Sequence, residues 1–411
     1  MSRSARTLWL WFLGVHLVVG VLSVVLPTDV HTAYEPWTSS ILRGGPLLGV
    51  TESWVYPQLA LVPMMAAWLL AWLGSYTIGW AVMVVAVNAV AFAILLGRRP
   101  SRARSRAGAT WLVLIAALGP VGLARIDTLT VPLVICALLI ALRRPGVASA
   151  LLTVGAWIKI WPAAAVAALW VVLRGARWRI VAAAAAVSAV VALVVVALGG
   201  AANLLGFVGA QFGRGLQVEA VAATPFMWLA ALGVPGYRTG FNADIITFEV
   251  TGPGVETVAA LLTPLMAIAA IAVYGLGAWG AWRHARPTRL LPPLLLSGAL
   301  VLIVCNKVGS PQFLGWLIAP LVVWTLWDRH AARTGVRLGV LALAVTQVIF
   351  PYVYGLISGA HPVGAALLTV RNGALVALLA WSLIRLVRAV RSAPGHRPDL
   401  SSCPSAPARH R

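Results

Sequence analysis

The sequence predicts an all-α polytopic membrane protein, and composition and charge pattern carry that prediction. Hydrophobic residues make up 61% of the 411-residue chain, charged residues only 10%, and the mean hydropathy is +0.92. A globular domain has too little interior to hide so much apolar surface from water. We therefore expect one transmembrane domain over residues 1–390 with about twelve membrane-spanning helices. A basic tail at 391–411, rich in proline, serine and arginine, is expected to be disordered.

The basic charge has a topological explanation. A formal net charge of +21 would suggest nucleic-acid binding in a soluble protein, but here the arginines lie in short segments between apolar runs, which is the positive-inside pattern. The pattern predicts a multi-pass plasma-membrane protein with both termini in the cytoplasm and no nucleic-acid partner. The arginine clusters fall at residues 98–106, 143–144, 174–179, 283–289, 329–337 and from 385 onwards.

Hydrophobicity places the spans in order along the chain. Residues 8–26 form a retained first helix, because no small-residue cleavage site follows them. Residues 76–96 must end at the cytoplasmic arginines, so the apolar stretch 57–73 just before them cannot also cross and is expected to lie at the outer interface. The remaining predicted spans are 108–124, 128–142, two arms of 146–173, 180–198, 255–282, two arms of 290–327, 336–352 and a last helix ending near Arg385.

Two of these segments are predicted to be broken hairpins. Residues 146–173 have arginines at both ends, yet each arm is only about 13 residues, short for the bilayer, and Lys159 and Pro162 split them. Residues 290–327 repeat the pattern, with polar residues and a proline between Asn306 and Gln312. Non-helical backbone at membrane depth is tolerated where it lines a cavity, so we expect both turns to line one that opens outward.

Two external loops separate the spans. The first, residues 27–75, holds Asp29, Glu35 and Glu52, three of only ten acidic residues in the chain. The second, residues 199–253, has an apolar centre that is expected to dip into the membrane.

Asp29 is the leading candidate for a catalytic base, with Glu52 and then Glu35 as fallbacks. It comes two residues after the first apolar run stops, where a pocket on the outer face would open. His31, Tyr34 and Glu35 follow it, which gives a carboxylate flanked by aromatic and hydrogen-bonding groups, as carbohydrate sites require. Two simpler interpretations stay open: a solvated carboxylate at a helix end, or an ion-pair partner for an arginine at 125.

Lysine usage is a second compositional signal. The chain has 31 lysines and arginines, of which only Lys159 and Lys307 are lysine, and both sit within otherwise apolar segments. A buried ammonium costs at least ~2.5 kcal/mol on insertion scales and needs a partner, for which a bound phosphate is a candidate. The alternative interpretation is a lysine near a helix end whose ammonium reaches the interface.

Further polar residues are candidates for substrate contact. Arg125 and Asp127 flank an isoleucine at an outer turn, where the simpler interpretation is a local ion pair worth ~0–1 kcal/mol. Arg214 and Glu219 lie beside the apolar centre of the second loop, where the alternatives are contact with a lipid headgroup and interfacial anchoring. Gln312 belongs to the second helix break.

Neither a metal site nor a disulfide framework is indicated, and no cofactor is expected. The three cysteines, Cys136, Cys305 and Cys403, are an odd number without motif spacing. His31 and His361 are lone histidines without the spacing of metal ligands.

Several stretches resemble one family in order. They are TDVHTAY and GGPLLGVTESWVYP in the first loop, then ARIDTLTVPL, WIKIWPA, RGLQVEA and CNKVGSPQFLGWLIAP. Over most of residues 1–330 the chain resembles the actinobacterial polyprenyl-phosphate-mannose-dependent α-1,2-mannosyltransferases, membrane enzymes of the GT-C architecture. The Lys-x-x-Ser-Pro-Gln stretch is the most specific part. The sequence YPQ at 56–58 departs from the family, which more often has a proline pair there.

The resemblance implies a GT-C fold with horizontal helices in the first loop, Asp29 as catalytic base and a polyprenyl-phosphate sugar as donor. In that reaction Asp29 takes the proton from an acceptor hydroxyl as this oxygen attacks the anomeric carbon, which inverts. Lys159, Lys307 and Arg214 then stabilise the departing lipid phosphate. The expected partners are the donor, a glycolipid or polysaccharide acceptor and membrane lipids, and a single-phosphate leaving group predicts no essential divalent metal.

Two other functions stay open. An arabinose donor fits the residues as well as mannose does. A lipid-linked sugar flippase or secondary transporter also places charges and broken helices at membrane depth. Against it, the polar groups concentrate on the external side and the two halves of the sequence show no symmetry.

Overall fold

The structure, a computed structural model, describes residues 3–209, 213–243 and 245–393. Within these residues, eight helices are long and apolar enough to cross a membrane. This confirms the predicted all-α polytopic class. The last helix continues to Arg391. The tail is predicted to be disordered, and from residue 394 onwards it lies outside the described residues.

The helices are numbered in chain order. The first nine are α1 (Arg3–Val25), α2 (Glu35–Leu42), α3 (Leu61–Ala66), α4 (Tyr76–Leu96), α5 (Arg102–Leu118), α6 (Ile126–Ile140), α7 (Pro145–Ile158), α8 (Pro162–Val172) and α9 (Arg177–Ala197). The others are α10 (Gly206–Gly209), α11 (Thr224–Ala231), α12 (Val255–Trp282), α13 (Pro287–Val304), α14 (Ile318–Trp327), α15 (Arg329–Gln347), α16 (Tyr354–Ser358) and α17 (Pro362–Arg391). Strands β1 (Arg238–Asn242) and β2 (Thr247–Thr251) form an antiparallel hairpin between α11 and α12.

Hydropathy located the long helices with unequal accuracy, since α5 begins at Arg102 and α15 at Arg329, ahead of the predicted spans 108–124 and 336–352. Helices α4 and α12 coincide with the predicted spans 76–96 and 255–282. Other predicted spans are shorter than a bilayer requires: α6 has 15 residues, α7 has 14, α8 has 11 and α14 has 10. Of the twelve or so predicted spans, eight are therefore long enough by themselves.

Both predicted helix breaks are present. Helix α7 ends at Ile158, and Lys159 then adopts an extended backbone with φ −152° and ψ 130°. The second break begins after Val304, passes through a 3-10 turn over Pro311–Leu317 and ends where α14 starts. Pro162 and Pro311 stand in the first turn of the helical segments that restart the chain, where a residue without an N–H costs nothing.

The apolar stretch 57–73 folds back on α4 instead of forming one regular helix. Residues 58–73 are 3-10 helical at both ends and α-helical only over α3. The chain turns at Gly74, whose φ is 146°. An ideal Cβ on Gly79 of α4 would lie 2.5 Å from the carbonyl oxygen of Ala67, so glycine permits the close packing. The interfacial position of this stretch stays a prediction.

The second external loop contains the β-hairpin, which we did not predict. Phe241 pairs with Phe248 across its two strands. The preceding segment adds to the hairpin, because the backbone N–H of Val218 donates to Phe248 O at 3.1 Å and that of Val250 donates to Leu216 O at 3.0 Å. The apolar centre forms the eight-residue α11, which is too short to cross a bilayer.

The second helix break packs against the segment before α11. The N–H of Gln217 donates to Lys307 O at 3.0 Å, and the N–H of Gly309 donates to Gln217 Oε1 at 3.2 Å. An ideal Cβ on Gly309 would collide with the backbone of Glu219 and Ala220. The carbonyl of Lys307 and the N–H of Gly309 are thus satisfied by protein, as a helix break at membrane depth would require.

We predict that Gly309→Ala destabilises the protein by about 1–3 kcal/mol, because the methyl group has to push two backbone segments apart. Thermal unfolding of the detergent-solubilised protein measures this as a lower Tm. Gly373→Ala is the matched control, since an ideal Cβ there meets nothing within 4 Å. Equal melting temperatures for the two variants would contradict the packing.

Candidate functional site

The candidate site lies at helix ends opposite the arginine clusters, and an ion pair between Asp29 and Arg125 stands at its centre. Asp29 precedes a π-helical turn over Val30–Tyr34 that follows α1, and Arg125 directly precedes α6. Arg125 Nη1 donates to Asp29 Oδ2. The Asp29 side chain is 26% exposed and that of Arg125 is 9% exposed, so the carboxylate is the accessible partner. The ion-pair interpretation of Asp29 is therefore the one that the structure shows.

Arg125 is held among aromatic and acidic groups. Its guanidinium carbon lies 5.0 Å from the centre of the Phe350 ring, a cation–π distance. Burial lowers the pKa of Arg125 to about 10, and the carboxylates of Asp127 and Glu219 oppose this shift. The guanidinium thus stays protonated at neutral pH.

A second ion pair involves Asp127, which follows Arg125 by two residues in the chain. Asp127 is fully buried in the first turn of α6, and its Oδ2 lies 3.4 Å from Lys159 Nζ at the first helix break. Trp316 Nε1 donates to Asp127 Oδ1 at 2.7 Å, and the Lys159 ammonium lies 4.3 Å from the centre of the Tyr56 ring. Lys159 is thus held inside the protein by a carboxylate and an aromatic face, which contradicts the interpretation as a lysine reaching for the interface.

The first loop is fastened to α6 through Tyr34. This residue is fully buried, and its hydroxyl accepts a hydrogen bond from the Ile126 N–H at 3.0 Å. Its ring lies 5.0 Å from that of Trp80 on α4. Tyr34 therefore positions Asp29 against Arg125. The two other candidate residues of this loop, His31 and Glu35, are half-buried. His31 Nδ1 lies 3.3 Å from Thr28 Oγ1.

Arg214 lies near the site, close enough to Lys159 to act on it. Arg214 is close enough to the Tyr56 phenol and to Glu249 for both to act on its pKa, which burial lowers. Glu249 is fixed in turn by the Gly215 N–H, which donates to its Oε1 at 2.8 Å. The half-buried Lys307 stands on the second break, whose backbone bonds to Gln217.

Glu219 forms a third buried ion pair, with Arg371 of α17. Both side chains are 2% exposed, and the guanidinium donates to the carboxylate and to the backbone oxygen of Glu219. Arg371 Nε also donates to Asn372 Oδ1 at 3.0 Å. Burial raises the pKa of the Glu219 carboxyl, and the Arg371 guanidinium works against this rise.

Unpaired polar atoms mark where a ligand or water would bind. Among the described residues, five buried side-chain atoms lack a hydrogen-bond partner, and two of them are Arg125 Nε and Gln312 Oε1. A third, Asp127 Oδ2, is paired with the Lys159 ammonium. Buried polar atoms are nearly always satisfied, so Arg125 Nε and Gln312 Oε1 are candidate contacts for a ligand or water. Gln312 lies in the second break with its Oε1 unsatisfied.

An apolar groove begins at Ile160, at the first helix break. It has a volume of about 640 Å³ and runs between α7, α8 and α9. Ile160, which follows Lys159 in the chain, lines it and is 52% exposed, and Ala163, Ala184 and Phe207 line it further along. The first helix break thus presents an ammonium to the charged site and an apolar side chain to the groove.

Several residues of the site escaped the sequence analysis. Arg371 carried a signal, because it is a charged residue inside the last apolar run. Trp316 carried none, since it is one of 19 tryptophans. In the described ranges, no group of three or more histidine, cysteine or acidic side chains could hold a metal ion.

Comparisons with protein-family models, with curated proteins and with solved structures found no match.

We predict that Arg371→Met destabilises the protein by about 3–5 kcal/mol, because Glu219 is then buried without a partner. The double variant Glu219→Leu/Arg371→Met should recover most of this loss, since it leaves no unpaired charge. Thermal unfolding measures both. Arg388→Met, which removes an exposed arginine from the same helix, is the control. A double variant as unstable as Arg371→Met would contradict the ion-pair explanation.

Proposed function

We propose that the protein is a membrane glycosyltransferase of the GT-C type that transfers a mannosyl residue from a polyprenyl-phosphate donor to a hydroxyl of a glycolipid or polysaccharide acceptor. One observation carries the proposal. The accessible carboxylate of Asp29 contacts Arg125, the ammonium of Lys159 lies near that pair, and an apolar groove begins at Ile160, the residue that follows Lys159. A lipid phosphate sugar needs this combination of cations, apolar channel and neighbouring base.

The groove supports a lipid-linked donor. Ligand pockets have volumes of about 300–1,000 Å³, and this groove falls within that range. It extends along α8 and α9, from the helix break towards the arginines that precede α9. A polyprenyl chain in this groove would bring its phosphate end to the first helix break, which carries Lys159.

The cations suit a phosphate leaving group. Arg125 and Lys159 are each bound to a carboxylate, and a donor phosphate competes with Asp29 for Arg125. Fixed positive charge in a low-dielectric pocket stabilises the developing phosphate charge. Arg214 adds a further cation near this region, and Lys307 on the second break is proposed to act with it.

Release from Arg125 makes Asp29 available as general base. It takes the proton of the acceptor hydroxyl while that oxygen attacks the anomeric carbon from the face opposite the phosphate, so the configuration inverts. The lipid phosphate departs with the bonding electron pair. A single lipid phosphate carries less negative charge than a nucleotide diphosphate and is expected to leave without a divalent metal. Turnover should therefore continue in the presence of EDTA.

Connectivity supports an outward-facing site. Helix α4 ends beside the arginines at 98–106, α5 returns from them, and Arg125 follows at its far end. Under the positive-inside rule those arginines are cytoplasmic. The ion pairs of Asp29 and Asp127 then lie at the outer side of the plasma membrane.

A flippase for lipid-linked sugars is the second candidate, because a groove leading from a charged pocket along the spans also suits lipid translocation. Purified protein with polyprenyl-phosphate mannose and a glycolipid acceptor separates the two. A new glycosidic product supports the transferase, and flipping without a product supports the flippase. Polyprenyl-phosphate arabinose in the same assay tests the other donor.

We predict that Asp29→Asn lowers turnover on the order of 10²–10⁴-fold, because asparagine keeps the shape of the side chain but cannot accept the proton. Product formation from polyprenyl-phosphate mannose is the measurement. Glu52→Gln, an exposed carboxylate of the same loop, is the matched control and should retain full turnover. Undiminished activity of Asp29→Asn would remove Asp29 from the mechanism.

We predict that Ala184→Trp raises KM for a long-chain donor roughly tenfold, which corresponds to about 1.4 kcal/mol of lost apolar contact. The indole fills part of the groove. KM for a donor with a short, water-soluble chain should stay unchanged. Ala186→Trp, on the same helix but outside the groove, is the control. Equal KM values for the two tryptophan variants would show that the donor chain binds elsewhere.

A further inference from the structure

A row of aromatic rings leads from the β-hairpin to the candidate site. Phe241 on β1 and Phe248 on β2 are paired, with ring centres 5.1 Å apart. Phe248 lies 6.1 Å from Tyr354 of α16, and Tyr354 lies 5.7 Å from Phe350. The ring of Phe350 then meets Arg125 at 5.0 Å. Four rings in steps of 5–6 Å thus end at the guanidinium that binds Asp29.

The outer end of this row is exposed and its inner end is partly buried. Phe241 is 56% exposed, whereas Phe248, Tyr354 and Phe350 are half-buried. The row thus runs from an exposed ring on the hairpin to the guanidinium that binds Asp29.

The hairpin that carries the outer rings is held rigidly. Thr239 Oγ1 donates to Ser358 O at 2.6 Å, which fixes β1 to α16. Glu249 on β2 accepts from the Gly215 N–H at 2.8 Å and from Asn242 Nδ2 at 3.1 Å. Rigid aromatic faces bordered by amide and carboxylate groups suit a ligand that presents both C–H and hydroxyl groups.

We propose that this row is a binding surface for the glycan part of the acceptor, with the reacting sugar beside Asp29 and sugars further from the reaction stacked towards Phe241. The proposal rests on the proposed glycosyl transfer, because its position is argued from continuity with that site. Sugars stack their C–H faces on aromatic rings, and their hydroxyl groups bond to the bordering polar side chains. A glycan of several units is long enough to follow the row, whereas a single sugar contacts only its inner end.

The competing occupant is the bilayer itself. Ile246, at the turn of the same hairpin, is 71% exposed and apolar but has no ring. If the hairpin dips into lipid, Phe241 and Ile246 serve the same purpose, and losing either has the same effect. If the row binds sugars, only the ring matters. The two residues are therefore a matched pair for substitution.

The test compares Phe241→Ala with Ile246→Ala. Binding of α-mannotetraose to the detergent-solubilised full-length protein is measured by saturation-transfer NMR in the absence of donor. Turnover is then measured with methyl α-mannoside and with α-mannotetraose as acceptors. Both substituted residues are exposed, so each variant should fold as the wild type does, and its melting temperature checks this.

We expect Phe241→Ala to weaken the saturation transfer to α-mannotetraose and to raise its KM about 3- to 10-fold, the size of one stacked aromatic contact. KM for methyl α-mannoside and for the donor should stay unchanged, and Ile246→Ala should behave as the wild type. Unchanged binding in Phe241→Ala overturns the proposal, and so does an equal loss in both variants. Absence of turnover in the wild type would defeat the proposed function, and the NMR comparison would still decide whether the row binds glycans.

Discussion

The need to pair buried charge organises this protein. Acidic residues are scarce, and Asp29, Asp127 and Glu219 each bind a cation that stands far away in the sequence. An unpaired charge inside a membrane protein costs several kcal/mol, so these contacts fix which segments meet. They join the first loop to α6, α6 to the first helix break, and the second external loop to α17. The charged site is thus also the place where the fold is tied together.

The two helix breaks differ in which part of the chain makes the important contacts. At the first break the side chains matter, because Lys159 faces Asp127 while Ile160 faces the groove. At the second the backbone matters, because Gln217 bonds to Lys307 and Gly309 through both its main chain and its side chain. Helix breaks in a membrane leave backbone groups that need partners. Here the partners come from the external loop that also supplies Arg214 and Glu219.

The Asp29–Arg125 contact connects stability to the proposed chemistry. A carboxylate bound to a guanidinium is held in place but is a weak base, and a phosphate that binds the same guanidinium releases it. The order of events would then be built into the site, because the base becomes free only when the donor is present. The neighbouring Asp127 has no such freedom, since it is fully buried and bound by Trp316 as well as Lys159. Of the two carboxylates, Asp29 is the one suited to proton transfer.

Sequence alone determined the all-α membrane class of the protein, the bounds of α4 and α12, both helix breaks and some of the charged residues that the structure brings together, among them Asp29, Arg125 and Lys159. These follow from apolar length, proline positions and the rarity of acid and lysine, which are properties of short stretches of chain. Tertiary structure decided that Lys159 pairs with Asp127, that Arg371 neutralises Glu219, that Trp316 binds a carboxylate, and that a β-hairpin brings aromatic rings towards Arg125. Pairing depends on distance in space between residues up to 189 positions apart, and neither composition nor periodicity contains that distance.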